Sequence, residues 1–128
     1  MNAKRPYDGG GTTGFVSPAG DSLEGPIDLA EFLDLGRPHR YPVRVLGEAL
    51  RERGIFPGDV LITDAAAAPT SGRVCVAFVH GDVILATLAR RGTAWFLLPS
   101  SAERQPVEIE GETAEIWGIV CGLVRSKV

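Results

Sequence analysis

Lysine is almost missing from this chain. Of its 13 basic residues only Lys4 and Lys127 are lysines, both near the ends, and the body between them carries arginine alone. A guanidinium does not release its proton at usable pH, so a lysine-type general base is excluded from the body as written. Histidine and cysteine are scarce as well. His39 follows a proline and His80 sits in a turn signal, neither with a carboxylate or nucleophile at a telling offset. Two histidines, two cysteines and scattered carboxylates offer no metal-ligand pattern, so neither a metal nor another cofactor is expected. Positive charge is not in excess: the net charge of −3 argues against direct DNA binding, which needs a basic face. No apolar run approaches the roughly 20 residues of a membrane span, and no signal peptide opens the chain. The expectation is a cytoplasmic protein with no membrane partner.

What is present is the composition of one globular domain. The chain has 128 residues, 45% of them hydrophobic and 23% charged, enough for one core and not two. Residues 1–13, MNAKRPYDGGGTT, are polar, Gly-rich and aperiodic, and read as a flexible N-terminal arm ahead of a domain spanning 14–128. Residues 14–25 look extended, and PIDLAEFLDLG reads as a short helix near residues 27–35. From Tyr41 onward the signals are β. RVCVAFV and VILATL form a hairpin through His80-Gly81-Asp82, followed by AWFLL, VEIEG and AEIWGIVCGLV. The expected fold is mainly β with a strongly bent sheet. Cys75 and Cys121, each flanked by aliphatic residues in strand-like runs, read as buried structural thiols. Trp95 and Trp117 read as core or interface aromatics.

The segment VRVLGEALRERGIFPGDVLITD, residues 43–64, carries the sharpest question. A strand breaks at Gly47, a helical turn runs from Glu48 to Arg51, and Pro57-Gly58-Asp59 turns the chain into another strand. A strand that opens a helix turn is a common stage for a nucleophile, because free backbone N–H groups there can hold an oxyanion. The position best placed to use it is Ala49, whose methyl group performs no chemistry.

The order of the segments then points to a family. From Gly14 to about Arg125 the chain resembles the LexA/UmuD group of self-cleaving S24 peptidases, and UmuD-like proteins in particular. GFVSPAGDSLEGPIDL resembles the segment that follows the self-cleavage site. GEALRERGIFPGDVLITD resembles the nucleophile segment, which in the family reads Gly-Asp-Ser-Met, then Gly-Ile, then Gly-Asp. HGDVILATLARR resembles the strand that carries the catalytic lysine, and LLPSSAERQPVEI and IWGIVCGLV resemble the closing strands. The fold implied is the LexA/UmuD C-terminal type, a β-clip also found in signal peptidases.

In such proteins a serine attacks a peptide bond of the chain's own arm, and a lysine kept neutral by desolvation takes its proton. The resemblance places the serine at Ala49, the lysine at Ala86 and the scissile bond between Thr13 and Gly14. Glu48 and Leu50 replace the usual Asp and Met, and Thr13 replaces a small Ala or Cys. Thr87 neighbours Ala86 but faces the other side of a strand, a poor substitute. Self-cleavage by this dyad is therefore not expected. Either Ala49 and Ala86 are engineered, or the chain is a natural pseudo-enzyme; the absent lysines and the changes at Glu48 and Leu50 point towards the second. The function implied is that of an accessory subunit of an error-prone translesion DNA polymerase in the SOS response. Its partners would be the polymerase catalytic subunit, a RecA-type recombinase filament and a second copy of itself, paired through AEIWGIVCGLV. A LexA-type repressor would need a helix-turn-helix domain ahead of the arm, which 13 residues do not supply.

Overall fold

The computed structural model describes residues 22–47, 49–100, 105–110 and 114–127. The expected arm at 1–13 and the expected scissile pair Thr13–Gly14 lie outside the described residues. The chain divides into two units between Phe32 and Leu33. In the first unit the described residues hold a single helical turn, α1 (Leu29–Phe32), capped at its start by Asp28. The Asp28 carboxylate accepts from the Glu31 N–H at 3.2 Å, and the Phe32 N–H donates to the Asp28 carbonyl at 2.9 Å. The helix is shorter than the 27–35 expected. Asp34 takes a left-handed conformation with φ 55°, which a continuing helix cannot accommodate.

Among the described residues the second unit is one seven-stranded antiparallel sheet, in keeping with the mainly-β fold expected from the sequence. Its strands are β1 (Arg40–Arg44), β2 (Val60–Asp64), β3 (Val74–Val79), β4 (Asp82–Arg91), β5 (Ala94–Leu98), β6 (Val107–Glu108) and β7 (Ala114–Val124). Their spatial order is β1-β2-β7-β3-β4-β5-β6, so the last strand lies inside the sheet. The β3–β4 hairpin turns on His80 and Gly81, at φ 49° and 89°, the pair of positive values that a two-residue turn matching strand twist requires.

Two irregularities interrupt the sheet, both on β7. Pairing of β7 slips by one residue against each neighbour: Val76 faces Gly118 but Ala77 faces Ile116, and Ile62 faces Gly122 but Thr63 faces Val120. Trp117 and Cys121 are the extra residues, and a bulge of this kind bends its strand and increases local twist. Gly118 lies beside the first bulge. A Cβ there would stand 2.5 Å from Thr63 Cγ2 and 3.3 Å from the Asp64 carbonyl oxygen, so only glycine fits.

Alternation along β3 and β4 separates two cores. Cys75, Ala77, Val79, Ala86, Leu88, Leu97, Ala114 and Ile119 form one. Val45, Ala49, Leu50, Ile55, Leu61 and Val74 form the other, with Leu85 and Val120 packed against it.

Candidate functional site

The segment that raised the question is held by its ends. The Val45 N–H donates to the Asp59 carbonyl at 2.8 Å, and the Gly58 N–H donates to the Val45 carbonyl at 2.6 Å. Between them Phe56-Pro57-Gly58-Asp59 makes a tight turn, with proline second and Gly58 third at φ 95°. The Asp59 side chain, 3% exposed, accepts from the Phe56 N–H at 2.8 Å. Arg125, one residue past β7, donates to both of its carboxylate oxygens at 2.7 and 2.6 Å and to the Gly54 carbonyl at 2.8 Å. This bidentate guanidinium, with help from the Phe56 N–H, holds the Asp59 carboxyl down at about 2.

The helical turn does not begin where expected. It is a three-residue 3₁₀ turn, η1 (Arg51–Arg53), closed by Gly54 in the left-handed conformation at φ 76°. Ala49 therefore precedes the turn rather than riding on it. It is buried in the second core, while the exposed Leu46 and Gly47 continue past the end of β1.

Beside Ala49 opens a cleft of about 410 Å³. Tyr41, Val43 and Val45 line it together with Val83, Ile84 and Leu85 of β4, and Trp117, Arg44 and Ser100 also border it. Trp117 is 43% exposed and stacks flat on Phe78, with ring centroids 5.4 Å apart. The bulge in β7 aims the indole there, an effect that no sequence period signals. Arg44 is the charged group among the described lining residues, and an arginine does not act as a base. Burial pushes the Tyr41 hydroxyl above its ordinary range. Ser100 has no histidine, lysine or carboxylate among the described lining residues to activate it.

Ala86 is placed differently. It is fully buried in the first core and pairs across the sheet with Cys75. Ala49 and Ala86 thus belong to separate clusters, and the residue of β4 that packs with the Ala49 cluster is Leu85. Thr87 is bonded through its hydroxyl to Arg53 Nη1 at 3.0 Å. The cysteines are not alike. Cys75 is buried, and desolvation pushes its thiol up to about 12, which removes it as a nucleophile at neutral pH. Cys121 is exposed, contrary to expectation, because the bulge takes it out of the regular alternation; its thiol donates to the Ile62 carbonyl at 3.3 Å.

Residues 9–121 match the Peptidase S24-like family. The chain belongs to the S24 family of LexA/UmuD type. It is 30% identical over 116 residues to the LexA repressor of Syntrophobacter fumaroxidans, covering 87% of this chain and 56% of that one. It is 36% identical over 87 residues to the LexA repressor of Acidovorax sp., covering 67% and 39%. The LexA repressor of Alcanivorax borkumensis is 28% identical over 120 residues, covering 94% and 58%. The chain spans about half the length of the curated relatives it matches. The mainly-β sheet is the fold that the family resemblance implied.

Proposed function

We propose that this S24 chain is a catalytically inert, UmuD-like accessory subunit that keeps the peptidase scaffold for binding. The observation that carries the reading is an open apolar cleft beside a methyl group, Ala49, where the family resemblance implies a serine. Ala86 takes the implied lysine position. The partners proposed are a translesion polymerase catalytic subunit and a RecA-type recombinase filament, in the cytoplasm, without direct DNA contact. The chain pairs with a second copy through β7. Because β2 and β3 occupy both backbone edges of β7, that pairing uses side chains such as Leu123, 39% exposed, rather than an added strand.

Co-purification with the cognate polymerase tests the role directly, and a chain that captures no polymerase sinks it. Sedimentation at micromolar concentration tests the dimer. Deleting residues 1–13 should leave polymerase affinity within tenfold, about 1.4 kcal/mol. The dyad positions are tested by combining Ala49→Ser with Ala86→Lys. Release of the first 13 residues, faster at alkaline pH as the lysine loses its proton, supports both positions and the Thr13–Gly14 bond. An intact double variant argues against them. Genomic codons at positions 49 and 86 separate natural loss from an engineered peptidase.

A further inference from the structure

The arginines of this net-negative chain are not evenly spread. Arg51 and Arg125 both lie over the Phe56 ring, with guanidinium carbons 5.5 and 5.1 Å from its centroid. Arg125 reaches back to the Gly54 carbonyl at the end of η1, joining the end of β7 to that turn. Arg53, two residues along, reaches Thr87 on β4. Thr87 pairs with Val74 on β3, and the preceding residue, Arg73, donates to the Val120 carbonyl on β7 at 3.1 Å. Contacts thus link four guanidiniums across η1, the start of β3 and the end of β7. Among the described residues from Ala49 to Asp59 the carboxylates are Glu52 and Asp59, and Asp59 is already bound by Arg125.

Arg51, Arg53 and Arg73 are exposed, and no described carboxylate lies within ion-pair distance of them. Each guanidinium carries five N–H donors, and the hydrogen bonds of Arg53 and Arg73 use one apiece, to a hydroxyl and a carbonyl. Those two are fixed by neutral partners, so their direction is set while no described carboxylate pairs with their charge. Pre-positioned arginines with spare donors suit planar carboxylates.

We propose that Arg51, Arg53, Arg73 and Arg125 form a docking surface for an acidic, extended segment of a partner protein. A nucleic acid fits less well. A polyanion approaching this chain meets a protein that is net negative, −3, even with these four arginines counted. The aromatic ring at its centre, Phe56, already carries two guanidiniums and offers no free stacking platform. A short acidic segment needs only the local field.

The test is fluorescence anisotropy on the full chain with three labelled probes: a peptide of alternating Glu and Asp, its Gln/Asn counterpart, and a single-stranded oligonucleotide. No polymerase is involved, so failure here is separate from failure of the proposed accessory role. The acidic peptide should bind, weaken with added salt, and be preferred over both other probes. Arg51→Glu with Arg53→Glu and Arg73→Glu should weaken it by about tenfold or more. The milder Arg→Gln triple variant serves if reversal impairs folding, with an expected loss of about threefold. Arg90→Glu with Arg91→Glu, on the β4–β5 hairpin, should leave binding unchanged. No binding of the acidic peptide, tighter binding of the oligonucleotide, or an equal loss in the hairpin variant would overturn the proposal.

Discussion

The two alanines at the centre of this protein sit in opposite kinds of surroundings. Ala49 borders a cleft, at 8% exposure, on a loop tied at its base by backbone hydrogen bonds to Val45. Ala86 is sealed at 0% in a buried cluster of small and large side chains, among them Cys75, Ala77, Leu88 and Leu97. One position has space for a polar atom and access to water; the other has neither. A pair of substitutions that looks symmetrical on paper is therefore strongly asymmetrical in free energy. The sharpest ways to break the comparison are substitutions that ask each region to accept what it lacks.

The largest expected effect is Ala86→Lys alone. It adds three methylenes and an amine to a closed core, costing about 3–5 kcal/mol from overpacking and an unpaired buried cation. The cost should also depend on pH. Desolvation lowers the lysine's pKa in the folded state below its unfolded value, so the unfolded chain binds more protons and stability rises as pH increases. Urea denaturation at neutral and alkaline pH measures both. A variant as stable as the parent at neutral pH would show that Ala86 faces room the sealed cluster does not have.

Next comes Gly118→Ala, expected to cost about 1–3 kcal/mol. The added methyl meets Thr63 and the Asp64 backbone where β7 bulges. Because the same bulge aims Trp117 at the cleft, tryptophan emission should change along with stability. Loss of stability with an unaltered emission spectrum would separate the bulge from the cleft.

How much of this was legible beforehand follows from what sets each feature. β3, β5 and β7 are readable because runs such as VCVAFV, AWFLL and AEIWGIVCGLV are rich in β-branched and aromatic residues and bounded by turn residues. The Pro57-Gly58-Asp59 turn is readable for the same local reason. The start of η1 is not, since a nonhelical Leu50 with φ −98° and ψ 78° is imposed by burial in the second core. Nor is the exposure of Cys121, because a bulge breaks the period-two rule without a sequence mark. The cleft is built from β1, β4 and β7, which are far apart in the chain, so no local window contains it.

A smaller effect is expected from the clamp at the base of the loop. Arg125→Ala removes the two bonds that hold Asp59 ionised and should lower the melting temperature at neutral pH. The folded carboxyl sits at about 2, below its ordinary value of 3.8. A depressed folded value means the stabilisation is complete above the unfolded pKa and fades as pH falls through the folded one. The gap between parent and variant should therefore be widest above about pH 4 and close towards pH 2. A gap that is constant across that range would assign the loss to the packing of Arg125 on Phe56 instead.

The smallest effect belongs to Ala49→Ser. A hydroxyl adds one oxygen to a side chain that already borders a cleft of about 410 Å³, so the oxygen has room and can reach water. A buried hydroxyl without a partner costs about 1–3 kcal/mol, whereas a solvated one costs far less, so a change under about 1 kcal/mol is expected. The variant should fold as the parent does and remain uncut, because a serine hydroxyl stays protonated without a base and no described lining residue supplies one. Thermal unfolding and mass spectrometry read the two halves of that statement. A loss comparable to Ala86→Lys would place Ala49 in sealed packing and erase the contrast. Spontaneous cleavage by the single variant would reveal a base in the cleft other than a residue at position 86.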